Sequence, residues 1–208
     1  MRHRTNTLKN MNPPNPHLQA MRETTEAWVA LPDAVWQRFE RLFTSRTVSA
    51  GTYLLHPGDR VFELLFVGDG LLRFYYTDEE GRERNKAFIS EGMFAGPLAA
   101  SLLDLPVMYG IEALEPTTLY AAPYTDFIAL FDEDPLFDRL GRKMAEWMLM
   151  RKEMRARSFL QQRARERYLS FVEQHPNLLQ RVPQYHIASF LGITEVSLSR
   201  LRRDLATV

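Results

Sequence analysis

The sequence predicts an α+β fold in which an antiparallel β-roll or barrel is followed by a long helix and then a small all-helical domain. Three observations carry that reading. Between residues 47 and 122, short apolar or alternating runs are broken by glycine-bearing turns, recurring roughly every ten residues as in an antiparallel roll or barrel. From Phe137 to Ser158 one helical face repeats alternately three and four residues apart, the period of a heptad seam. Residues 183–205, PQYHIASFLGITEVSLSRLRRDL, read as two short helices about a glycine.

The chain opens with 22 residues rich in Asn and Pro and poor in large apolar groups, so a disordered tail is expected over 1–22. A first helix is expected over 24–30. A second follows Leu31-Pro32-Asp33, where Val35, Phe39, Leu42 and Phe43 form one apolar face. Strand-like runs cover 52–55, 63–67, 71–76, 84–89, 93–94, 109–114 and 118–122, and the turns between them include HPGD, GDG, TDEEG and EG. A closed roll turns every second side chain inward and can enclose one small molecule. That architecture does not by itself make a receptor.

Helices resume after Pro123, first over 124–131 and then from Asp134-Pro135 to about residue 160. The long helix carries Phe137, Leu140, Met144, Trp147, Arg151, Met154 and Ser158 on one face. Such a stripe can dock on its own roll or zip to a second copy. Met148, Leu149 and Met150 beside it add apolar surface beyond what one roll would cover. A parallel homodimer across Leu140, Met144, Trp147, Arg151 and Met154 is therefore expected. After a helix over 163–174 comes the terminal pair. There Ile187, Ala188 and Leu191 recur at helical spacing, Gly192 breaks the run, and Thr194 can cap the last helix. In that last helix Leu198, Leu201 and Leu205 share a face, while Glu195, Ser199, Arg202 and Arg203 point elsewhere. Hydroxyls and guanidiniums outside an anchored helix suit a reader of the DNA major groove; a hairpin that merely closes the domain fits the same pattern. The expected limits are a tail 1–22, a roll domain 23–132, a long helix 133–162 and a helical domain 163–208.

Charge supports the first of those readings. The chain of 208 residues has zero formal net charge, yet residues 151–208 hold 11 Lys and Arg against 5 Asp and Glu. The front is correspondingly acidic and the back basic, as phosphate neutralisation requires. There is no cysteine, which excludes disulfides, thiolate metal sites and cysteine-ligated iron–sulfur clusters. No apolar run approaches the roughly 18 residues of a membrane span, and the N-terminus lacks the apolar core of a secretory signal. A cytoplasmic protein without membrane partners is expected.

The run AGTYLLHPGDRVFELLFVGDGLLRFYYTDEEGRERNKAFISEGMFAG, residues 50–96, resembles the cyclic-nucleotide-binding roll of the Crp/Fnr family of bacterial transcription regulators. The PGD turn, the V-x-x-G-x-L-R-x-Y strand pair, the D-E-x-G hairpin and the G-x-F-x-G segment follow in family order. With the long helix and helix-turn-helix, the resemblance covers about residues 30–205. It implies a homodimer on double-stranded DNA, a small-molecule effector in the roll that reorients the DNA-binding domains, and contact with RNA polymerase.

Around the effector pocket the sequence departs from the cyclic-AMP-binding members, which follow G-x-F-x-G with a ribose-binding Glu and then carry Arg-Ser or Arg-Thr for the phosphate. Here Gly96 is followed by Pro97, and Val107-Met108 stand at the phosphate position. A buried phosphate without a cation is heavily penalised, so cyclic AMP is not expected to bind. Phe94, Gly96, Pro97, Leu98, Val107, Met108 and Tyr109 are the expected pocket residues; they suit an apolar ligand or a filled core equally. His56 is the single histidine of the roll and reads as a turn residue, so no metal or other cofactor is expected.

In the last domain GITEVSLSR, residues 192–200, looks like the family's turn and recognition helix. The resemblance makes Arg200 the guanine-reading arginine and gives base-reading positions to Glu195 and Val196. Thr194, Ser197 and Ser199 are in reach of phosphate or bases, Gln184 of phosphate at a helix N-terminus, and Arg202 and Arg203 of the backbone. The competing function is a cyclic-nucleotide-binding signalling protein with little DNA binding, against which Pro97 and Val107 speak. No P-loop, nucleophile elbow or histidine–carboxylate cluster points to an enzyme.

Overall fold

Two four-stranded antiparallel sheets enclose an apolar interior in a computed structural model that describes residues 15–206. The strands are β1 (Thr44–Val48), β2 (Tyr53–Leu55), β3 (Glu63–Asp69), β4 (Leu71–Thr77), β5 (Glu83–Ser90), β6 (Phe94–Ala95), β7 (Gly110–Ala113) and β8 (Thr117–Pro123). One sheet runs β1-β8-β3-β6 and the other β2-β7-β4-β5. The period of two sorts the side chains. Leu72 and Phe74 of β4 enter the interior with Leu65, Val67, Ile89, Ile111 and Leu119. Leu71, between them and the turn, faces outward. The β3–β4 turn needs glycine: Gly70 has φ of 100°, and a Cβ there would lie 2.5 Å from Thr117 Oγ1.

The expected strands from 52 onward are present. β1 is not foreshadowed, because TSRTV is polar and largely exposed; its place comes from pairing with β8, Thr44 opposite Ala121 through Val48 opposite Thr117. One irregularity matters later. Phe74 pairs with Ala87 but Tyr75 pairs with Asn85, so Lys86 is the extra residue of a β-bulge.

Helices collar the first sheet. They are α1 (Pro16–Glu26), α2 (Asp33–Glu40), α4 (Tyr124–Ala129) and the first half of α5 (Pro135–Gln161), while the short α3 (Leu98–Leu103) links β6 to β7. Met21, Trp36, Phe39, Phe66, Phe94, Phe127, Phe137, Leu140 and Met144 form the collar's core. The expected disordered tail over 1–22 is corrected at its end. α1 begins at Pro16, capped by the Asn15 side chain accepting from the His17 amide, and Met21 is fully buried. Residues 1–14 lie outside the described residues. The helix expected over 24–30 is displaced: it stops at Glu26, and Val29 and Leu31 pack into the collar from non-helical chain.

The terminal domain comprises α6 (Ala164–Gln174), α7 (Leu178–Arg181), α8 (Gln184–Leu191) and α9 (Glu195–Ala206). Its core of Tyr168, Phe171, Ile187, Leu191 and Leu198 is continuous with Leu71 and Phe88 on the outer face of the second sheet. Fully burying two such side chains contributes about 3–6 kcal/mol, more than exposed ion pairs at ~0–1 kcal/mol each. Apolar contact is therefore a main contribution to seating this domain on the roll. Among the described residues no helix is long and apolar enough to cross a membrane.

Candidate functional site

The last two helices are set by their caps. Gly192 closes α8 in the left-handed conformation at φ of 68°. Thr194 Oγ1 accepts from the Ser197 amide at 3.1 Å at the start of α9. Leu198 is buried, with Leu201 and Leu205 packed beside it. Thr194, Glu195, Val196, Ser197, Ser199, Arg200, Arg202 and Arg203 are all exposed, and Gln184 is half-buried at the first position of α8. The helix thus offers hydroxyls and guanidiniums on its outside, as its periodicity predicts.

α8 sits on β5 through a polar network. Asn85 Nδ2 donates to the His186 carbonyl at 3.0 Å and lies 3.0 Å from His186 Nδ1. The Asn85 amide donates to Ser189 Oγ at 3.0 Å, and Arg73 Nη1 donates to Asn85 Oδ1 at 3.2 Å. Arg73 is buried and ion-paired to Glu83 and Glu112. Burial, reinforced by Arg73, pushes His186 down to about 4. On the rim Arg181 of α7 bridges Glu91 and Glu115. Burial would raise Glu91, but Arg181 holds it below the usual carboxylate range. Arg155 of α5 donates to the Asn85 and Phe190 carbonyls at 3.2 and 2.9 Å. The sequence gives no signal for the β5–α8 part of this network, whose partners lie 104 and 101 positions apart.

Inside the roll the expected pocket is only partly assembled. Val107 and Tyr109 do face the interior. Pro97 borders a space of about 10 Å³ with Leu55, Leu65 and Ile111, room for about one water at most. The Gly96 carbonyl accepts from Tyr109 Oη at 3.0 Å. Three expectations are corrected. Phe94 and Leu98 turn into the collar, where they line a cavity of about 30 Å³ with Trp28, Met144 and Trp147. The reason is strand parity: in β6 it is Ala95, not Phe94, that enters the roll. Met108 points to solvent at 65% exposure.

A residue not foreseen does enter. Lys86, the bulge residue, places Nζ 3.4 Å from the Tyr109 ring centroid, 5.4 Å from Tyr76 and 5.9 Å from Phe74. Burial, then the charge of Lys152 on α5, lowers it to about 8. His56 is exposed in its turn, stacked on Tyr53 at 5.1 Å. Among the described residues no group of three or more His, Asp or Glu is placed to hold a metal ion.

Two residues of the seam expected along α5 are corrected as well. Leu140 and Met144 are buried in the chain's own collar, so a second copy cannot reach them. Trp147 packs on Trp28 at 5.7 Å, and Arg151 stacks over Trp147 at 4.8 Å. Met154 is 61% exposed, and Leu149 and Met150 stand exposed beside it.

Residues 45–134 match the family model of the cyclic nucleotide-binding domain. No curated protein matches the chain in sequence. Among solved structures, FixK2 from Bradyrhizobium japonicum superposes with a TM-score of 0.69 at 17% identity, over 79% of this chain and 85% of that one. The c-di-GMP-responsive global regulator CLP of Xanthomonas campestris gives 0.65 at 16% identity, over 82% and 90%. The catabolite activator protein of Thermus thermophilus gives 0.54 at 23% identity, over 88% and 87%. At these identities the likeness speaks for the fold. Residues 45–134 thus match the cyclic nucleotide-binding domain, and the chain shares the fold of these solved structures, a roll followed by a long helix and a terminal helical domain.

Proposed function

We propose that this chain is a homodimeric, sequence-specific DNA-binding transcription regulator whose roll does not take cyclic AMP. The observation that carries the reading is α9: Leu198 anchors it, and Ser197, Ser199, Arg200 and Arg202 stand exposed on its outside. The basic balance of residues 151–208 supports it. Relatives of fold described as a global regulator and a catabolite activator agree. Against cyclic AMP, Val107 lies in an apolar interior cluster, the Lys86 ammonium is held against the Tyr109 ring, and the buried guanidinium of Arg73 lies on the opposite face of its strand, engaged with Glu83 and Glu112. For the dimer, α5 leaves Leu149, Met150 and Met154 uncovered, and the second copy is their occupant.

The test is selection from a random duplex library at low ionic strength, followed by mobility-shift titration of the selected site. Arg200→Ala should weaken the selected duplex by about 1–3 kcal/mol and relax one base pair. A protein that retains no duplex of any sequence would refute the reading.

A further inference from the structure

Two arginines grip the end of α8 where the chain turns into α9. The turn closes through the Gly192 and Ile193 amides, which donate to the Ser189 and Ala188 carbonyls and leave those of Phe190 and Leu191 over. Arg155 Nη2 of α5 donates to the Phe190 carbonyl at 2.9 Å, and Arg167 Nε of α6 to the Leu191 carbonyl at 3.0 Å. Both bring positive charge to the negative end of a helix. Phe159 of α5 stands between them, with Arg155 over its ring at 4.7 Å and Arg167 at 5.0 Å. Arg155 also covers the Phe190 ring at 3.9 Å. The Phe159 ring fills the space beside Gly192, where a Cβ would lie 2.7 Å from its Cε1. From the same node Arg155 reaches the roll through the Asn85 carbonyl at 3.2 Å, and Arg167 reaches the cap of α5 through the Gln162 carbonyl at 2.6 Å.

The last turns of α5 are thereby tied to the turn that launches α9. In a dimer joined along α5, this node fixes how far each α9 stands from the two-fold axis and at what angle. On DNA those two quantities become the separation of the half-sites. One added base pair carries a half-site about 3.4 Å along the duplex and about 34° around it. We propose that Arg155, Phe159 and Arg167 are positioning residues that set the half-site spacing this chain reads. The proposal deepens the function proposed above and rests on it. To follow a longer or shorter site, each terminal domain would swing about the junction of α5 and α6. That motion breaks the carbonyl bonds and ring contacts of the node in both copies at once.

The test uses the full chain and the half-site obtained by selection. Duplexes carrying two half-sites, with spacers differing by one base pair at a time, are titrated by mobility shift beside a duplex carrying one. The wild type should prefer one spacer over its neighbours by at least about tenfold, the scale of losing one weak bond and one ring contact per copy. Phe159 is 42% exposed, so Phe159→Ala can loosen the node without opening the core. Phe159→Ala and Arg155→Met should each flatten the preference to below about threefold and leave single half-site affinity unchanged. Phe159→Tyr keeps the ring and should keep the preference. Three results would overturn the proposal: a wild type indifferent to spacer length, variants as selective as the wild type, or variants that lose single-site and paired-site binding in step. A wild type that retains no duplex at all sinks the regulator itself, whereas a spacer preference that survives both substitutions sinks the positioning role alone.

Discussion

Acidification should loosen the terminal domain from the roll through His186. The Asn85 amide cannot rotate, because its oxygen accepts from Arg73 Nη1 at 3.2 Å and Arg73 is pinned by Glu83 and Glu112. Its NH₂ therefore faces His186 Nδ1 at 3.0 Å, and Nδ1 must accept. The hydrogen-bond network assigns a neutral ring with its proton on Nε2. A proton on Nδ1 would set two donors face to face beside the Arg73 cation. The other groups around the ring are Tyr185, 4.1 Å away, and Ser189; neither offers a carboxylate to stabilise the charged form.

The sign follows from linkage. Burial and Arg73 hold His186 at about 4 against an ordinary 6.5, so on acidification the unfolded chain takes the proton first. The contribution is whole above about pH 6.5 and is lost as pH falls toward 4; the gap is worth at most about 3 kcal/mol. Denaturant unfolding of the wild type and His186→Gln at neutral pH and near pH 4.5 isolates it, since carboxylates common to both cancel. Glutamine can still accept from Asn85 but does not titrate. The wild type's advantage should shrink by about 2–3 kcal/mol between the two conditions. If the two proteins lose stability in parallel, the assigned tautomer is wrong.

Two further outcomes follow from the packing. Met150→Glu with Met154→Glu places charge on exposed positions of α5 and should halve the mass seen by light scattering without unfolding the chain. Leu140→Ala, by contrast, should cost about 2–5 kcal/mol in denaturant unfolding and leave the mass unchanged. Arg181→Ala strands Glu91 and Glu115 on the rim; with Arg181 a quarter exposed, the loss is about 1 kcal/mol. Scanning calorimetry should show Tm lower by about 2–4 °C, with the Glu91 carboxyl, relieved of its partner, titrating higher by NMR.

The parts of the fold legible in the sequence are those written in local chemistry. Gly70 and Gly192 mark turns that require positive φ, Asp134-Pro135 opens α5 with a side-chain cap at 3.0 Å, and Leu198, Leu201 and Leu205 stripe one face of α9. What stayed hidden depends on which surface covers which. Periodicity along α5 shows an apolar face at Leu140 and Met144 but not that the chain's own collar consumes it. α1 carries too few apolar residues to advertise a helix, and its burial of Met21 comes from β3 and the collar rather than from its own composition.

The bulge at Lys86 accounts for the placement of Asn85 and Lys86, which sequence periodicity does not mark. In an uninterrupted strand residues 85, 87 and 89 would face one side, and Ala87 and Ile89 are inside. The inserted residue breaks that parity: Asn85 pairs with the outward Tyr75 and meets α8, while Ala87 pairs with the inward Phe74. No alternation rule applied to ERNKAFIS places Asn85 outside, because a one-residue slip moves every preceding side chain to the other face. The same slip aims Lys86 at Tyr109. A charge inside the roll and the polar anchor of the terminal domain outside it are therefore adjacent residues of a single backbone irregularity.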